Sequence, residues 1–134
     1  MEELIREFIN QRVWAVVGVS LNPEKFGHKV FRNLRAAGYI VYGVNPGGGE
    51  IEGQRLYPTL ADLPEKPAVV DIVVPPKVTE GIARQCAELG LGRVWMQPGS
   101  ESEEAIRFCQ EKGIKVVHGA CAMIRKREWR EVSL

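Results

Sequence analysis

Histidine and cysteine are scarce in this sequence, and that scarcity limits the chemistry it offers. With only His28 and His118 there is no metal-spaced histidine pair and no serine, histidine and aspartate constellation to read. Cys86, Cys109 and Cys121 are odd in number and form no C-x-x-C pair, which fits reduced thiols rather than a disulfide framework or a zinc site. Net charge is nearly absent as well. The 18 basic and 17 acidic residues leave +1, so no overall field holds a duplex or an anionic membrane, and neither is expected as a partner. The N-terminal stretch MEELIREFINQR alternates charged with apolar residues and has no long hydrophobic run. It predicts a helix over residues 1–12, no secretory signal, no membrane span and a cytoplasmic protein.

What the chain does have is a regular alternation. Its 134 residues suffice for one domain with an ordinary core, residues 1–134. Short runs rich in valine and isoleucine, Trp14 to Gly18, Ile40 to Val44, Val69 to Val74, Val94 to Met96 and Ile114 to Val117, read as strands buried on both faces. Between them Val30, Leu34 and Ala37 recur at helical spacing, as do Val78, Ile82, Cys86 and Leu89, and then Ala105, Ile106 and Cys109. Gly38, Gly90 and Gly113 follow these helices where a left-handed residue would end each one. Helix, glycine, strand, repeated, predicts right-handed crossovers. The expected fold is α/β, a Rossmann-like, doubly wound and mainly parallel sheet with helices on both faces.

In such a sheet the binding crevice lies at the carboxyl ends of the strands, so function is expected in the loops that follow them. The first, within VVGVSLNPEKFG from Val16 to Gly27, leads from an apolar run through Gly18 and Ser20 toward a helix. Unpaired N–H groups and the positive end of the helix dipole welcome an anion there. The other loops are VNPGGGE (Val44 to Glu50), VVPPK (Val73 to Lys77), MQPGSE (Met96 to Glu101) and HGAC (His118 to Cys121). Proline in four of the five stiffens the rim and leaves carbonyls and ring faces for a ligand.

Two features argue against NAD. Ser20 and Pro23 stand where G-x-G-x-x-G needs its second and third glycines. The second strand ends at Asn45 and Pro46, not at the acid that accepts the ribose hydroxyls of a dinucleotide. A neutral amide does not repel phosphate, which leaves room for an ADP with an extra ribose phosphate. Lys25, and secondarily Lys29, supply a counter-charge. Glu50 and Glu52 read as solvated loop charges, and Arg32 and Arg35 as the wet face of the helix.

The ordered segments GVS, NPEKFG, GYIVYGVNP, EIEG, VDIVVPP and VWMQPG, with a cysteine after the last strand, resemble the small stand-alone CoA-binding proteins. These share a domain with the α subunit of succinyl-CoA synthetase and with ADP-forming acyl-CoA synthetases. The resemblance runs from about Trp14 to the C-terminal helix, expected over residues 121–134. It implies that Gly18, Val19, Ser20 and Lys25 hold the phosphates of coenzyme A. Asn45 and Pro46 would border the adenosine, Val74, Pro75 and Pro76 would flank the nucleotide, and Gln97 and Pro98 would lie farther along. The synthetases owe their catalysis to a phosphorylated histidine and an ATP-grasp partner. A chain of this length has no room for that second domain, so the resemblance implies binding of CoA or an acyl-CoA rather than acyl transfer.

Cys121, at the start of the expected last helix and near His118, is the one candidate for a reactive thiol. Cys86 and Cys109 fall on apolar helix faces and read as core residues, as do Trp14 and Trp95 in their strands. RKREWR, from Arg125 to Arg130, reads as a solvated terminal helix. Two other functions stay open at the level of sequence: an NAD(P)-dependent redox enzyme or sensor, and a subunit that delivers CoA to a separate ATP-grasp chain.

Overall fold

In a computed structural model that describes residues 1–129, the strand runs form one seven-stranded sheet of order β3-β4-β2-β1-β5-β6-β7. After α1 (Glu2–Ile9) come β1 (Val13–Val17), α2 (Phe26–Ala36) and β2 (Ile40–Val44). A hairpin, β3 (Glu50–Ile51) and β4 (Gln54–Tyr57), and a 3-10 turn (Leu60–Asp62) lead to β5 (Val69–Ile72) and α3 (Pro76–Leu89). The chain continues through β6 (Arg93–Met96), α4 (Glu103–Glu111), β7 (Lys115–Val117) and α5 (Ala122–Arg125). Every neighbouring pair is parallel except β3 with β4.

The two-sided burial read from the valine-rich runs is realised as two cores. Trp14 and Val16 of β1 point to one face, where they join Phe8 of α1, Phe31 and Leu34 of α2, Trp95 of β6 and Ala122 of α5. Ala15 and Val17 point to the other, against Val70, Ile72, Met96, Ala83 and Cys86 of α3, and Ala105 and Cys109 of α4. The period of two along a strand requires this split. Burial pushes the Cys86 thiol up to about 12, with Cys109 nearby adding to it, and the Cys109 thiol up to about 11. Both are packing residues. Gly38, Gly90 and Gly113 have φ of 95°, 72° and 74° and let the chain turn from helix to strand.

The structure departs from the sequence reading in three places. The helix expected over residues 1–12 is shorter, Glu2–Ile9. The segment after β2 is not only a loop: it folds into the β3–β4 hairpin, and β4 extends the sheet beside β2. Its two-residue turn puts Glu52 at φ 50° and Gly53 at φ 79°. Glutamate is rare in that conformation, which is why the turn is hard to see in sequence. The helix expected over 121–134 is a single turn, Ala122–Arg125, after which Lys126 to Trp129 are not helical. Trp129 N–H donates to Ala37 O at 2.8 Å, tying this segment to the end of α2. The rest of that expected helix, and Arg130 of RKREWR, lie outside the described residues.

One polar residue inside the sheet is uncompensated. Asp71 of β5 lies between Val16 of β1 and Trp95 of β6, fully buried, and neither carboxylate oxygen has a partner among the described residues. Burial pushes its pKa well above the usual carboxylate range.

Candidate functional site

The strand order reverses at β1: the chain moves to β2 on one side and later returns to β5 on the other. The crevice of a doubly wound sheet opens at this point, between the loops after β1 and β5. Gly18 sets its width. With φ at 101°, a Cβ built on Gly18 would lie 2.1 Å from Val73 O, so only glycine lets the two loops close on each other. A Cβ on Gly27, in the first turn of α2, would lie 2.0 Å from Gly18 O. Gly27 therefore provides the close approach of helix to turn that the dinucleotide fingerprint would assign to position 23. The sequence reading missed it because the spacing is longer than that fingerprint allows.

Hydrogen bonds divide the first loop into a part used internally and a part left open. The N–H groups of Gly18 and Val19 both donate to Val44 O, at 3.0 and 3.2 Å, and the Val19 side chain is fully buried. Val19 O accepts from Asn45 Nδ2 at 2.7 Å, and Ser20 O accepts from His28 Nδ1 at 2.8 Å. A carbonyl oxygen only accepts, so Nδ1 of the buried His28 carries a proton. Ser20 Oγ is engaged as well, accepting from Asn22 N–H at 3.0 Å. The N–H groups of Ser20 and Leu21, and of Phe26, Gly27 and His28 at the start of α2, have no backbone acceptor among the described residues. The unpaired N–H groups of this loop thus begin at Ser20, not at Gly18 or Val19. Lys25 is exposed at the N-cap of α2.

The remaining loops are tied to the first and to one another. Asn45 is a clamp: besides Val19 O, its Oδ1 accepts from Gly47 N–H at 2.8 Å, leaving exposed Pro46 on the rim. Val74 is half-buried, Pro75 caps α3, and Pro76 is its first residue, where a missing N–H costs nothing. Thr79 Oγ1 donates to Ser100 O at 2.7 Å and joins α3 to the loop after β6. Gln97 is fully buried and pairs inward: Oε1 accepts from Ala122 N–H at 2.9 Å, and Nε2 donates to Cys121 Sγ at 3.6 Å. Pro98 beside it is exposed. Trp95 does more than pack, since its Nε1–H donates to Ala120 O at 2.9 Å. Cys121 is half-buried at the N-cap of α5, and His118 is half-buried at the end of β7. Glu52 is not merely solvated, because it pairs with Arg32 Nε at 2.7 Å.

A single mostly parallel, doubly wound sheet with helices on both faces defines a Rossmann-like α/β protein. The chain belongs to the CoA-binding domain family: the family model described as "CoA binding domain" matches residues 12–127. It is 29% identical over 128 residues to the acetate–CoA ligase [ADP-forming] II subunit alpha of Pyrococcus furiosus, a match covering 87% of this chain and 28% of that subunit. Among solved structures it is similar to a conserved hypothetical protein from Pyrococcus furiosus, at TM-score 0.82 and 40% identity, covering 86% of this chain and 99% of that one. It is also similar to a hypothetical protein from Pyrococcus horikoshii OT3, at TM-score 0.87 and 36% identity, covering 93% and 89%. Among the described residues no helix is long and apolar enough to cross a membrane.

Proposed function

We propose that this chain binds coenzyme A or an acyl-CoA in the crevice between the loops after β1 and β5, without itself catalysing acyl transfer. The observation that carries the reading is the family match over residues 12–127, which takes in every parallel strand and every loop of the rim. The open N–H groups of Ser20, Leu21 and the first turn of α2 hold the diphosphate, with Lys25 as counter-charge. Gly18 and Val19 shape that turn rather than donate to the ligand. Asn45 and Pro46 border the adenosine, and Val74, Pro75 and Pro76 flank the nucleotide. Gln97 and Pro98 line the way toward Cys121, where the pantetheine thiol ends.

That end of the crevice gives thiol exchange a physical basis. The Cys121 thiolate attacks the disulfide of oxidised CoA, one CoA thiolate leaves, and a mixed disulfide remains on the protein. Cys121→Ser should leave the affinity for reduced CoA unchanged and remove the mixed disulfide, seen as a mass increase on the intact protein. A mixed disulfide that survives in this variant contradicts the assignment.

A second reading is favoured by the kinship with an α subunit of which the chain spans 28%. Here the chain presents CoA to a separate ATP-grasp chain. Purification under native conditions separates the two, since a solitary binder elutes alone. Calorimetric titration of the reduced protein with CoA and NAD at fixed ionic strength tests the shared claim. Binding of CoA with no heat from NAD supports it, and the reverse order refutes it.

A further inference from the structure

We propose that the outer face of α2 is a second recognition surface, a groove that receives a phosphoryl group through Lys29, Arg32 and Arg35. The groove encloses about 500 Å³ and runs from Pro23 and His28, beside the first loop, down α2 toward Ala36, with Glu52 of the hairpin on its far wall. Its charge is segregated. The sequence of α2, FGHKVFRNLRA, contains no acid, although the chain as a whole is almost neutral. A helix face that is merely solvated generally mixes signs and pairs them at i,i+4. Here the answering carboxylate is Glu52, brought from another element and held at φ 50°, a conformation that disfavours glutamate.

Arg32 and Glu52 are both about half exposed, at 53% and 55%, so a ligand can reach the pair. A phosphoryl oxygen offers Arg32 the same acceptor geometry as the Glu52 carboxylate, and Glu52 therefore occupies the place of the incoming anion. Lys29 and Arg35 are left without a carboxylate partner among the described residues, and the Arg35 guanidinium is steadied 5.6 Å over the Phe31 ring. Asn33, also in the groove, has its Oδ1 buried without a donor among the described residues, so turning its amide toward a ligand breaks no bond there. His28 connects the groove to the crevice, lining the one and holding Ser20 O in the other.

The phosphoryl group has two sources. One is the ribose 3′-phosphate of a CoA bound in the crevice, which rests on the CoA reading above. The other is a separate phosphorylated ligand. Calorimetry with CoA, dephospho-CoA and pyrophosphate, and amide spectra of the 15N-labelled protein, distinguish them at constant ionic strength. The proteins are wild type, the double variant Lys29→Ala with Arg35→Ala, and Glu52→Gln.

If the source is CoA itself, wild type prefers CoA over dephospho-CoA by about tenfold, the scale of one charge-assisted contact. The double variant brings the ratio near one and Glu52→Gln widens it. If the source is separate, the ratio is near one throughout, yet pyrophosphate shifts the amides of residues 28–36 in protein saturated with CoA. That affinity falls in the double variant and rises in Glu52→Gln. A preference or a pyrophosphate affinity indifferent to all three substitutions overturns the proposal, as does the absence of both. Dephospho-CoA binding by wild type is the independent check on the crevice, so failure of the groove and failure of the CoA reading remain distinguishable.

Discussion

Gly18 and Gly27 meet so closely that a single methyl group cannot be placed between them: a Cβ on Gly27 would lie 2.0 Å from Gly18 O. Gly27 is helical, so on propensity alone Gly27→Ala would stabilise α2 by about 1 kcal/mol. The contact reverses that sign. Forcing the helix away from the turn is expected to cost about 1–3 kcal/mol, the range for overpacking, and to weaken ligand binding. Urea unfolding measures it, and a variant as stable as wild type contradicts the contact.

Asn45 holds two loops with one side chain, donating to Val19 O and accepting from Gly47 N–H. Asn45→Asp keeps the size and the acceptor but replaces the donor with an oxygen facing the Val19 carbonyl. The expected loss is about 1–3 kcal/mol, the cost of a broken bond with an unsatisfied partner. Asn45→Asp should be less stable than Asn45→Ala at neutral pH, and thermal melts of the pair decide it.

How much of this was legible in the sequence depends on whether a feature is local. Val69 to Ile72 and Trp14 to Val17 announce themselves because both faces are buried, and Gly38, Gly90 and Gly113 mark turns set by their own φ. The β3–β4 hairpin was illegible: β3 has two residues, and its turn is Glu52-Gly53 rather than Asn-Gly. The loops expected to form the rim do follow β1, β2, β5, β6 and β7, because a loop's place after a strand is local in sequence. Their inner accounting is not local, since Val44 O captures the N–H groups of both Gly18 and Val19 only once β1 and β2 are in register. Gln97 shows the same limit. The resemblance implies a place along the crevice, but tertiary structure turns its amide inward to Ala122 and Cys121.

That inward amide makes a prediction about Cys121. Gln97→Ala removes the acceptor of Ala122 N–H and the donor to Cys121 Sγ, so the loop from Ala120 to Ala122 loses two of its tethers to the segment that follows β6. Cys121 is expected to react with a disulfide reagent several-fold faster in Gln97→Ala than in wild type, while Cys86 and Cys109 stay protected until unfolding. Equal rates would show that Gln97 does not hold the loop.

Asp71 predicts a pH dependence. Its folded pKa is raised by burial above the ordinary 3.8, so the folded state keeps a proton that the unfolded state has lost. Its contribution is fully present below that value and is lost as pH rises toward the folded pKa. Glu7, held below the usual carboxylate range by hydrogen bonds from Lys115 and Arg93, acts in the opposite sense at low pH. Subtracting an Asp71→Asn variant isolates Asp71. The stability of wild type minus variant should fall as pH rises from about 4, and a difference independent of pH contradicts the buried neutral acid.

The central claim is that the ligand meets the free N–H groups of one turn. Amide spectra of the reduced, 15N-labelled protein titrated with CoA test it most directly. The account predicts the largest shifts at Ser20, Leu21, Phe26, Gly27 and His28, with Glu7, Arg93 and Lys115 at the opposite end of the sheet unmoved. Shifts centred on that opposite end, or none at the turn when CoA is saturating, would contradict it.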